Sequence, residues 1–138
     1  MKKYIGTKEL KATPMTLGVY NEYRGWKLPE DEDPNTEGYL VEYIDGGKPN
    51  DKRHEGYISW SPKDVFEKAY KVADTPLDRM YIEYKELMDK HNKLVLFLGR
   101  KDAVEIAGEN QVALMDVQKV QMHDYLLTLK ERIDLMKK

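Results

Sequence analysis

Apolar residues change their spacing near residue 73. Before that point they alternate with polar ones in short runs broken by glycine and proline. After it they recur every three or four positions through two long stretches. The first region reads as strands with short helices, the second as a pair of long helices.

In the first region, Lys3 to Pro14 reads as a strand with a turn at Gly6. Thr16 suits the cap of a short helix from Leu17 to Tyr23, ended by Gly25. Leu28 to Thr36 is an acidic loop punctuated by proline. Gly38 to Asp45 alternates as a strand does, with Tyr39, Val41 and Tyr43 on one side and Leu40, Glu42 and Ile44 on the other. Gly46-Gly47 is a turn signal, and Gly56 to Ser59 pairs back as the next strand. Ser61-Pro62-Lys63-Asp64 then has the grammar of a helix start: a capping hydroxyl, proline at the first position and a carboxylate at the third. That helix is expected to reach Val72, with Val65, Phe66, Ala69 and Tyr70 facing inward.

Thr75-Pro76-Leu77-Asp78 repeats the same grammar. Apolar residues at 77, 80, 81, 84, 87, 88, 94, 95 and 98 then hold one face for about six turns, with His91 on the same seam, and Gly99 stops the helix. A helical turn is expected from Asp102 to Ile106. Asn110 suits the cap of a last helix from Gln111 to Met136, in which Met115, Met122, Leu129 and Met136 form a heptad series. The expected fold class is α+β: a small sheet module over residues 1–73, then an antiparallel αα-hairpin over residues 74–138. Tyr81, Tyr84, Phe97, Leu114, Val117 and Tyr125 widen the apolar stripes beyond what two helices bury. That surplus points to self-association.

Composition narrows the function. The chain has 138 residues and no cysteine, so disulfide scaffolds and thiolate metal sites are excluded and a reducing compartment fits. No apolar run has the length to span a bilayer, and the cytoplasm is the expected location. Residues 1–73 carry 12 Lys/Arg against 13 Asp/Glu, and residues 74–138 carry 11 against 12. Neither half has the basic excess of a binder of DNA or RNA polymers, whereas a small anionic ligand needs only a few placed cations.

Catalytic chemistry finds little support. The histidines His54, His91 and His123 lack metal-ligand spacing, and His91 reads as a satisfied interfacial residue. Ser61 is explained by capping, and Glu30-Asp31-Glu32-Asp33 by solvation. The chain therefore reads as a binding protein rather than an enzyme, with no cofactor or metal. The first region's tyrosines and tryptophans either pack a thin core or form a ligand platform. In the second region, Tyr81 and Tyr84 lie beside Arg79 and Lys85, and Phe97 precedes Arg100 and Lys101. Rings next to cations either pack or bind nucleobases and phosphates.

Two stretches carry resemblances. KATPMTLGVYNEYRGW (residues 11–26), EGYLVEYIDGGKPN (residues 37–50) and GYISWSPKDVFEKAYK (residues 56–71) resemble a module associated with tailed phages, which implies a phage or prophage origin. In relatives that module often precedes a Thoeris anti-defence domain, whose M-T-F-G and G-W-N-G-K-G motifs do not occur here. PLDRMYIEYKELMDKHNKLVLFLG (residues 76–99) and MHDYLLTLKERI (residues 122–133) instead look like the helical phage proteins of the anti-CBASS cyclic-oligonucleotide sponge family. The resemblance implies a homo-oligomer, a hexamer in that family, which holds cyclic dinucleotides and, at a second site, cyclic trinucleotides without cleaving them, in the cytoplasm of an infected cell. It implies that Tyr84, with Tyr81 the alternative register, and Arg100 beside Phe97 and Lys101 contact the cyclic dinucleotide. Arg132 would line the trinucleotide site. Gly99 departs from the polar residue usual in relatives. The competing reading is a phage-derived adaptor that docks another protein.

Overall fold

A computed structural model describes residues 1–138. The chain folds as two compact units, Met1–Lys71 and Val72–Lys138. The fold is α+β: a small antiparallel sheet with short helices, then a long helical region.

The first unit begins with β1 (Leu10–Pro14) and α1 (Leu17–Arg24), followed by β2 (Gly38–Tyr43), β3 (Ile58–Pro62) and α2 (Lys63–Ala69). The three strands pair antiparallel in the order β1-β2-β3. Thr16 caps α1 by accepting from the Val19 N–H, and Gly25 ends it in the left-handed conformation at φ 71°. The alternation of β2 divides the sheet's faces. Leu40 packs with Ile58 and Tyr20 in the core, with Met15, Tyr23 and Trp60 at its margin. On the other face, the rings of Tyr39, Phe66 and Tyr70 stack in series at centroid distances of 4.2 and 5.1 Å. Gly38 is obligatory because a side chain there would collide with the Trp60 ring and the Ser61 carbonyl.

Several expectations for this unit are corrected by the structure. The first strand starts at Leu10 rather than Lys3, because Leu10 opposes Tyr43 at the end of β2 and nothing remains for earlier residues to pair with. Ser61 does not cap a helix. It pairs with Tyr39 and Pro62 pairs with Gly38, so both end β3, and α2 starts without a side-chain cap. A proline at the end of an edge strand leaves no ladder donor missing. The helix stops at Ala69, short of Val72, because Tyr70 turns extended at φ −131°. Val65, expected to face inward, is 61% exposed.

The second unit is a hairpin of α3 (Pro76–Leu98) and α5 (Glu109–Met136), joined through the short α4 (Ala103–Ala107). At the start of α3, the Thr75 hydroxyl accepts from the Asp78 N–H at 3.0 Å, and the Asp78 carboxylate accepts from the Thr75 N–H at 3.1 Å. Asn110 does not cap α5. Gly108, at φ 91°, turns the chain into the helix, and Asn110 lies in its first turn. Met122, Leu126, Leu129 and Ile133 form the buried stripe of α5, and α3 packs a half-buried stripe against it. No residue of α3 is fully buried, the usual consequence of packing a helix against a single neighbour.

Candidate functional site

The six residues expected to carry ligand contacts fall at the two ends of the hairpin. Tyr81 and Tyr84 are half-buried in the early turns of α3. Phe97 is half-buried in its last turn, and Arg100 and Lys101 are exposed just beyond. At about 1.5 Å per residue, Tyr84 and Phe97 stand ~20 Å apart along one helix axis.

Three contacts set the level of α5 against α3. The Lys137 Nζ lies 5.5 Å from the Tyr81 ring centroid. The Tyr125 hydroxyl donates to the Glu83 carboxylate. The His91 and His123 rings face each other at 6.2 Å. The end of α5 is therefore beside the start of α3, and exposed Arg132, between Tyr125 and Lys137 in sequence, belongs to the tyrosine end. Phe97, Arg100 and Lys101 belong to the other. One hairpin brings Tyr81, Tyr84 and Arg132 to a common level and leaves the other three apart.

Rotation about α3 separates the two tyrosines. At about 100° per residue, Glu83 and Tyr81 lie on opposite flanks of Tyr84. Tyr84 thus faces the seam, while Tyr81 sits on the flank that Lys137 reaches. The polar contact with the Tyr81 hydroxyl is the main cause that raises the Lys137 pKa. At the other end, Arg100 is committed within the chain. Its Nε and Nη2 donate to the two Asp102 carboxylate oxygens at 2.9 and 3.0 Å, which raises the Arg100 pKa and lowers that of Asp102.

The first unit carries a separate polar network. The His54 Nδ1 side bonds the Glu42 carboxylate and its Nε2 side bonds the Tyr23 hydroxyl at 2.7 Å. The Arg53 guanidinium lies 3.5 Å from the Tyr23 ring centroid and chelates Asp51 through Nε and Nη2 at 2.9 and 2.7 Å. Those bonds hold the Asp51 pKa well below the usual carboxylate range. Arg24 reaches Asp51 from the other side at 3.8 Å and covers the Trp26 ring at 4.3 Å. Two open grooves flank these elements, one of about 390 Å³ beside Met15, Val19 and Lys63, the other of about 410 Å³ beside Asn50, Lys52 and His54. Neither includes any of the six expected residues.

Sequence reasoning missed Lys137, the Glu83–Tyr125 contact and the Glu42–His54–Tyr23 chain. Only the first had a usable signal: Lys137 follows seam residue Ile133 by one turn, and antiparallel packing puts that end beside Tyr81. His91 does lie on the seam, but its ring faces His123 rather than a hydrogen-bonding partner.

Fold and site together define the second unit as a helical hairpin with a tyrosine–lysine pair at one end and a phenylalanine next to a basic pair at the other. Residues 74–135 match the model of a protein family described as Sequestin. No curated protein and no solved structure matches the chain. No helix is long and apolar enough to cross a membrane.

Proposed function

We propose that this protein is a phage immune-evasion protein that binds cyclic oligonucleotide second messengers and sequesters them without cleavage. The carrying observation is the Sequestin match, which falls on the hairpin that holds the tyrosine–lysine end. A family name denoting sequestration agrees with a chain whose candidate site offers rings and cations but no nucleophile activated by a base.

The ligand's base stacks on Tyr81 or Tyr84, and its phosphates meet cations. Because Phe97, Arg100 and Lys101 stand at the far end of the hairpin, a dinucleotide site using all of them draws on two protomers. Arg132 serves a second site for cyclic trinucleotides. Self-association has its own support: Leu96, Leu114 and Leu127 are 74%, 65% and 54% exposed, apolar surface that a second copy can cover.

Mass spectrometry of the denatured protein, purified from cells making cyclic nucleotides, is expected to release an intact cyclic oligonucleotide. Calorimetric titration with cyclic GMP–AMP and with a cyclic triadenylate is expected to give saturable heats, and chromatography afterwards to recover unchanged ligand. Absence of heat across a panel of cyclic nucleotides overturns the reading and favours the protein-docking adaptor. Linear products identify an enzyme instead.

A further inference from the structure

We propose that Lys137 is the phosphate-neutralising cation of the Tyr81 site, supplied within the same hairpin. The inference rests on the sequestration reading and assigns its cation to a residue the resemblance does not use.

Position supports it first. Lys137 extends the last turn of α5, its N–H donating to the Ile133 carbonyl at 3.2 Å. Ile133 is 4% exposed and anchors that turn on α3. The backbone of Lys137 is therefore brought to the Tyr81 end by the packed seam, within reach of the ring for its Nζ. That position brings a flat apolar surface and a positive charge together, the two features a nucleotide asks for: a ring to stack the base and a cation beside it for the phosphodiester.

Availability supports it second. The ion pairs of this unit are Arg100 with Asp102 and His123 with Asp124, and Lys137 is in neither. Asp134, three residues earlier on α5, forms no ion pair with it. Arg100, which the resemblance assigns to phosphate, must first give up a two-bond contact with Asp102. Lys137 gives up only an exposed contact with a phenol. A lysine stem bends freely, so a base stacking on Tyr81 can displace Nζ from the ring toward the phosphate without unwinding the helix.

The same geometry chooses between the two tyrosines. Both rings are half-buried, but the Lys137 cation lies at Tyr81, so Tyr81 is the stacking residue.

The test is calorimetric titration of the full-length protein with cyclic GMP–AMP over a series of salt concentrations. It compares wild type with Lys137→Ala, Lys137→Arg and Arg100→Ala, with circular dichroism as a check that helicity is retained. Lys137→Ala is expected to weaken binding about 10-fold at low salt and to flatten the salt dependence by about one released counterion. Lys137→Arg is expected to keep both affinity and salt dependence near wild type. A Lys137→Ala protein with wild-type affinity and salt slope overturns this inference while leaving sequestration standing. A wild-type protein that binds no cyclic nucleotide overturns both. Loss confined to Arg100→Ala returns the role to the far end of the hairpin and also overturns the inference.

Discussion

His54 holds two unlike partners, the Glu42 carboxylate at its Nδ1 side and the Tyr23 hydroxyl at its Nε2 side. The hydrogen bond from His54 is the main cause that lowers the Glu42 pKa below 4.5, helped by the Gly56 N–H. A carboxylate with a depressed folded pKa contributes stability that is complete above its unfolded value and lost as pH falls through the folded one. The melting temperature of the intact protein is therefore expected to fall once pH drops below about 4.5. Glu42→Gln is expected to flatten that acid limb, and equal acid limbs in the two proteins refute the assignment.

Among the elements, two helix starts carry the same local grammar and meet different fates. Thr75-Pro76-Leu77-Asp78 makes a reciprocal capping box. Ser61-Pro62-Lys63-Asp64 does not, because β2 claims Ser61 and Pro62 as strand partners. Thr75→Ala is expected to cost about 1 kcal/mol, the usual cost of losing a capping hydroxyl, read from urea unfolding followed at 222 nm. Ser61→Ala is expected to cost less, since its hydroxyl caps nothing. On α5, Leu129 is 1% exposed and Leu127 is 54% exposed. Leu129→Ala should cost roughly 2–5 kcal/mol for the cavity it leaves, and Leu127→Ala less than about 0.5 kcal/mol at concentrations where the protein is monomeric. Similar values for the two would show that the buried stripe is misplaced.

Across the whole molecule, the hairpin carries the exposed leucines and valines on which the proposed self-association rests. Leu114 and Val117 are one turn apart on α5 and 65% and 53% exposed, and the proposed self-association would cover them with another copy's surface. Multi-angle light scattering is expected to give a multiple of 16.2 kDa for the intact chain. Leu114→Glu with Val117→Glu is expected to lower that mass without loss of helicity, and a wild-type mass of one chain at every concentration removes the two-protomer site.

Much of this was legible in the amino-acid order. The two long helices, the Thr75 box, the stop at Gly99 and the Thr16–Gly25 helix all follow from signals acting within one or two turns, and local chemistry decides those. The tyrosines, Phe97 and the basic residues could be singled out as ring-and-cation candidates for the same reason. Tertiary structure decided the rest. It set where β1 begins, whether Ser61 caps or pairs, and which cation stands at Tyr81. Each depends on a partner far along the chain: Leu10 on Tyr43, Ser61 on Tyr39, and Tyr81 on Lys137. A residue's own neighbours carry no information about such partners, because strand register and helix level are settled by which surfaces can be buried together.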